Sequence, residues 1–126
     1  MQFIINHFYI FLTVAFAVSS QLIIKWQMAN YSLENYNGMY EKFLFALTML
    51  LNPFIMLSIL LTLLSGLSWI IAMTKFDISY AYPFTSLGFV LILIFSSLLF
   101  NETISIYKLV GVLFIVLGIM IISKDF

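Results

Sequence analysis

Apolar residues fill four long stretches, Phe8 to Met28, Phe54 to Thr74, Ile78 to Phe100 and Ile106 to Ser123, and the polar positions inside them are few and fall at helical spacing. A helix of about 20 residues crosses a hydrocarbon core of roughly 30 Å. The stretches lack the alternating period of a transmembrane barrel strand, so only helices can satisfy the backbone in lipid. The pattern therefore predicts an all-α integral membrane protein built as one domain, residues 1–126, of four transmembrane helices. The longest connection, Asn30 to Pro53, is mixed. Asn30 to Gly38 has turn composition, whereas Met39 to Leu51 sets Phe43, Leu47, Leu50 and Leu51 at helical spacing beside Glu41 and Lys42. This segment reads either as a short amphipathic helix in the membrane interface or as an early start of the second span, broken at Asn52-Pro53.

The polar positions give each predicted helix a face. On the first, Ala17, Gln21 and Lys25 recur every four residues with Ser20 close by. With the span centred near Val18, Lys25 lies about 10 Å from the midplane, inside a half-thickness of roughly 15 Å. It either faces a cavity or snorkels to the headgroups; both place a cation where it can hold a phosphate as a point charge. The second helix aligns Ser58, Thr62, Ser65 and Trp69, a face suited to close helix packing, with Trp69 also placed as an interfacial anchor. In the third, Pro83 lacks an N–H and crowds the Ser79 carbonyl, which predicts a kink and a hinge. Tyr82 and Ser86 lie about one helical turn apart beside it, as an aromatic belt or as a sugar contact. Gly111 and Gly118 on the fourth helix form a small-residue stripe for helix contact within the subunit or across a dimer.

Composition sharpens the class. With 64% hydrophobic and 8% charged residues, a soluble chain of 126 residues could not hide its apolar surface. The first span lacks a basic n-region and a small-residue cleavage site, so it is expected to be retained. Zero cysteines exclude disulfides, thiol redox chemistry and Cys-bound metals, and the lone His7 builds no metal site. No metal or other cofactor is expected. The absence of arginine and the formal net charge of zero remove the basic patch that nucleic-acid binding needs. No pair of carboxylates or nucleophile with a base converges at one depth, so the chain does not read as an enzyme. Orientation is weakly encoded: Lys75 and Lys124 fall on one side against Lys42 and Lys108 on the other.

Two segments, A-V-S-S-Q-L-I-I-K (Ala17 to Lys25) and A-Y-P-F-T-S-L-G-F-V (Ala81 to Val90), resemble the small subunits of the aminoarabinose-phosphoundecaprenol flippase, in the drug/metabolite transporter superfamily. L-L-F-N-E-T-I-S-I-Y-K-L-V-G-V-L-F-I-V-L-G, Leu98 to Gly118, looks like the last helix pair of that superfamily, with its loop acid at Glu102. The glycine spacing of the fourth helix is similar to the dimer motif of small multidrug resistance transporters. Those transporters carry a membrane-embedded glutamate in helix one, and Ala17 stands at the matching position here. Glu34, Glu41, Asp77, Glu102 and Asp125 lie in connections or at the chain end, so proton-for-drug exchange has no acid to run on.

The resemblance implies a multi-pass protein of the bacterial inner membrane that moves an undecaprenyl-phosphate-linked sugar by alternating access. On that reading Lys25 engages the phosphate, and Gln21, Ser20, Tyr82, Ser86 and Trp69 line the path of the sugar. Pro83 lets the third helix bend. The partners are membrane lipid, the lipid-linked sugar, and a second small subunit in an eight-helix homodimer or heterodimer with Gly111 and Gly118 at the contact. The alternatives are a small exporter of cationic compounds and a non-transporting accessory subunit.

Overall fold

A computed structural model describes residues 1–125. Six α-helices follow one another: α1 Gln2–Met28, α2 Met39–Met49, α3 Pro53–Met73, α4 Ile78–Ala81, α5 Leu87–Phe100 and α6 Ile106–Ile122. A 3-10 segment, Tyr82–Ser86, joins α4 to α5, and another, Ser123–Asp125, follows α6. Four helical stretches are long and apolar enough to span a bilayer: Gln2–Met28, Pro53–Met73, Ile78–Phe100 and Ile106–Asp125. The chain is thus an all-helical, multi-pass membrane protein with a span at each of the four expected places.

The first span begins six residues earlier than the apolar run suggests, because Asn6 and His7 continue the helix instead of preceding it. His7 is buried, and its Nδ1 lies 2.7 Å from the Phe3 carbonyl. A carbonyl only accepts, so Nδ1 carries the proton there. Nε2 lies 2.9 Å from the Tyr80 hydroxyl, tying the start of α1 to α4.

α1 and α3 pack antiparallel along a seam of small hydroxyl residues. The Ser65 hydroxyl donates to the Thr13 carbonyl (2.8 Å), the Ser20 hydroxyl donates to the Ser58 carbonyl (2.8 Å), and the Asn52 side-chain amide donates to Gln27 Oε1 (3.1 Å). On α1 these contacts fall at positions 13, 20 and 27, seven residues apart, the period that keeps one stripe of a helix against a partner. Serine-sized side chains let the backbones approach closely enough for hydroxyl-to-carbonyl bonds. Gln27 is buried at one end of the seam. Its partner Asn52 also caps α3, accepting from the Phe54 N–H at 2.9 Å with Pro53 in the first helical position.

α2 stands as its own short helix with no buried residue, and Leu50 to Asn52 separate it from α3. The third span is not a simply kinked α-helix. Where Pro83 removes a donor, the chain tightens into the 3-10 segment. Two hydroxyls then turn back on the backbone: Thr85 Oγ1 donates to the Tyr82 carbonyl (2.6 Å) and Ser86 Oγ to that of Pro83. α5 ends at Asn101, whose φ of 54° is left-handed, and Ser105 opens α6 by accepting the Lys108 N–H at 3.3 Å.

The apolar core lies toward one end, where Ile10, Ala72, Phe76, Tyr80, Ala81, Phe84 and Ile119 meet. Burial falls steeply along the chain, from 28% of the best apolar window of the first span to 6% in the last. α6 is therefore an outer helix, fixed mainly near Ile115, Ile119 and Ile122.

Candidate functional site

The face carrying Ala17 and Gln21 borders a groove between α1 and α5. Its volume is about 190 Å³, and its walls include Thr13, Ala17, Gln21, Thr85, Gly88 and Phe89. Gly88 forms the closest approach: a Cβ placed there would lie 3.5 Å from Val18 Cγ2 and 3.9 Å from Val14 Cγ1. The groove is mostly apolar, with the Gln21 amide and the Thr85 side chain as polar points on opposite walls.

One turn beyond Gln21, Lys25 is exposed at the groove's outer end. Its Nζ lies 4.0 Å from Glu102 Oε1, in the loop between α5 and α6. Glu102 is therefore not a lone loop charge. Because α1 starts at Gln2, its midpoint falls at Ala15 and Lys25 lies about 15 Å from that point. A span centred there puts the ammonium at the edge of the hydrocarbon, within easy reach of headgroups.

The other residues singled out in the sequence are dispersed. Ser20 is fully buried in the seam, 2.7 Å from Thr62 Oγ1 as well as bonded to the Ser58 carbonyl, and it does not face the groove. Tyr82 is exposed and packs edge-on against the half-buried Trp69, with ring centroids 6.0 Å apart. That pair lies near the His7–Tyr80 end. Along α1, His7 and Lys25 are 18 residues apart, which is about 27 Å of helix. Lys25 and the Trp69–Tyr82 pair thus belong to opposite ends of the bundle and cannot hold one headgroup together. Ser86 is half-buried with its proton committed to the Pro83 carbonyl. At three residues per turn, the 3-10 segment rotates Ser86 by about 120° from Tyr82. Thr85, which was not singled out, takes the groove position instead.

A second groove, of about 380 Å³, runs between α5 and α6, with Ser96, Glu102, Lys108 and Gly111 on its walls. Lys108 Nζ donates to the Thr103 carbonyl at 3.2 Å. Cβ atoms at Gly111 and Gly118 would meet nothing within 4 Å, so neither glycine is needed for packing inside the subunit. Among the described residues no group of His, Cys, Asp or Glu is placed to hold a metal ion.

No family model and no solved structure matches the chain. Curated proteins do. A protein of Photorhabdus laumondii named as a probable 4-amino-4-deoxy-L-arabinose-phosphoundecaprenol flippase subunit ArnF is 41% identical over 64 residues, 49% of this chain and 51% of that protein. The subunit named ArnE in Pseudomonas aeruginosa is 29% identical over 74 residues, 59% of this chain and 64% of that protein. The subunit named ArnF in Serratia proteamaculans is 27% identical over 124 residues, 90% of this chain and 88% of that protein. In the matches of highest identity the chain spans about half the length of its relatives. These relatives are named as flippase subunits rather than enzymes. The chain is a homologue of the small subunits named ArnE and ArnF, a kinship that fits the small-subunit group of the drug/metabolite transporter superfamily.

Proposed function

We propose that this chain is one subunit of a flippase that carries an undecaprenyl-phosphate-linked sugar, of aminoarabinose or related type, across the bacterial inner membrane by alternating access. The observation that carries the proposal is likeness over 90% of the chain to a protein named as a subunit of such a flippase. The site chemistry supports it. Lys25 supplies a cation at headgroup depth, and along the groove that leads away from it the Gln21 amide can donate and accept while Thr85 Oγ1, its proton on the Tyr82 carbonyl, can accept. The apolar tail needs no path, since it stays in the bilayer.

In this reading Lys25 holds the phosphate at one face of the membrane, and Tyr82 and Trp69 meet the sugar only after the headgroup has crossed to the other. Pro83 marks the hinge between α4 and α5, and Ser86 steadies that break by donating to the Pro83 carbonyl. Ser20 spaces α1 from α3 and acts on the path only indirectly. A groove of about 190 Å³ falls below the usual 300–1,000 Å³ of a ligand site (roughly), which favours completion by a second small subunit, identical or related, in an eight-helix assembly. The free faces at Gly111 and Gly118 suit that contact. A proton-coupled exporter of cations is disfavoured because Ala17, on the groove wall, stands where its acid is required.

The test is headgroup accessibility of an undecaprenyl phosphate sugar in proteoliposomes containing wild type, Lys25→Ala or no protein. Wild type is expected to expose the inner-leaflet headgroup, and Lys25→Ala to abolish this at normal expression. Flipping that persists in the variant removes the phosphate role of Lys25. Transport only after a related small subunit is added assigns the heterodimer, and transport absent in both cases moves the chain to an accessory role.

A further inference from the structure

We infer that Glu102 is a built-in competitor for Lys25, so that their ion pair forms a latch between α1 and the α5–α6 loop that an arriving phosphate ester must displace. The inference rests on the reading of Lys25 as the phosphate contact and adds to it the group that Lys25 has to release. Both side chains are accessible, 60% exposed at Lys25 and 41% at Glu102, and their 4.0 Å separation is long for a charge-assisted hydrogen bond. A phosphate oxygen can therefore replace the carboxylate without burying a new charge, and can approach closer than the carboxylate does.

The loop is arranged for such an exchange. Left-handed Asn101 turns the chain off α5, and the Glu102 N–H returns to the Ser96 carbonyl at 3.3 Å, fixing the root of the acid. Lys108 lines the same α5–α6 groove as Glu102 and is occupied only by the Thr103 carbonyl among the described residues. Glu102 thus has one cation across from it in Lys25 and a second, Lys108, lining its own groove. When phosphate takes Lys25, the carboxylate has Lys108 on the walls of the same groove. The latch thereby couples headgroup arrival to release of the α5–α6 loop from α1.

Binding of undecaprenyl phosphate to the full chain in nanodiscs of zwitterionic lipid tests the latch, with inorganic phosphate as a parallel probe. Glu102→Gln should tighten lipid binding about two- to five-fold, the scale of an exposed ion pair. Lys25→Ala should weaken it by roughly ten-fold or more. In the Lys25→Ala background, Glu102→Gln should have no effect, because the competitor then has nothing to compete for. Glu102→Asp, which keeps the charge but shortens its reach, should tighten binding partway and provides the test if the glutamine variant folds poorly. The same order with inorganic phosphate assigns recognition to the phosphate group alone; an order seen only with the lipid assigns it to a phosphate held in the bilayer. Glu102→Gln without effect, beside a weakened Lys25→Ala, overturns the latch and leaves the phosphate role of Lys25 standing. Equal tightening in both backgrounds overturns it as well, and Lys25→Ala binding like wild type removes the underlying reading instead.

Discussion

Ser20 is where seam and substrate path make opposite predictions. Its hydroxyl and that of Thr62 both reach the Ser58 carbonyl, at 2.8 and 2.9 Å, and lie 2.7 Å from each other. Two protons serve three contacts, so Ser20→Ala leaves Thr62 free to keep its bond and creates no orphaned buried donor. The expected cost is that of one ordinary interhelical bond in a membrane, about 0.6 kcal/mol and at most about 1.7. Ser20→Leu differs in kind. The site is fully buried, so the added carbons must part α1 from α3 or force strained rotamers, at about 1–3 kcal/mol. Separation would also stretch the bond one heptad away between Ser65 and the Thr13 carbonyl. Unfolding of the purified protein in mixed micelles with increasing SDS measures both variants, and the flipping assay is run on the same preparations. Ser20→Ala should be slightly destabilised and transport normally, whereas Ser20→Leu should be clearly destabilised. If Ser20→Leu is as stable as wild type, or if Ser20→Ala loses transport at full stability, the hydroxyl faces the path and the seam is wrongly placed.

Two further substitutions probe the groove and the end of the seam. Gly88→Ala should be silent, since its methyl meets Val18 at an ordinary 3.5 Å, whereas Gly88→Leu should fill the groove and suppress transport while leaving the SDS unfolding midpoint within about 1 kcal/mol of wild type. Asn52→Ala should cost more than the typical 1 kcal/mol or so of a lost helix cap, because it also strips buried Gln27 of its donor, for a total of about 2–4 kcal/mol in the same unfolding assay; a loss no larger than for a surface alanine would show that the Gln27–Asn52 clasp does not hold α1 to α3.

The spans were legible because in lipid the backbone requires helices, and apolar length alone marks where they are. The start of α3 was legible for a local reason too, since Asn52-Pro53 carries its own cap. The start of α1 was not: Asn6 and His7 look like a polar edge, and several of the groups that bury His7, the Tyr80 hydroxyl and the Phe76 and Phe84 rings, lie far along the chain. Reading α1 every four residues found Ala17, Gln21 and Lys25, but the contact to α3 runs every seven, through Thr13, Ser20 and Gln27. Ser20 is close to both stripes, and helical spacing alone does not tell them apart. Tyr82 and Ser86 were aligned by α-helical spacing that the 3-10 segment does not keep. The pairing of Lys25 with Glu102 joins residues 77 positions apart in sequence, and no local pattern encodes it.

The clustering of aromatic and apolar side chains at the His7 end has a mechanical consequence. α1 and α3 are stitched together from Thr13 to Gln27, while α4 to α6 join them most firmly where Tyr80, Ala81, Phe84 and Ile119 are buried. At the other end, the one ion pair among the described residues spans the gap. A bend at the His7 end would therefore work like the spring of a clothes peg, with the Lys25 end as its jaws. A tilt of about 10° at the spring, acting over roughly 27 Å of helix, would part the jaws by about 5 Å, close to one strand of lipid chain in width.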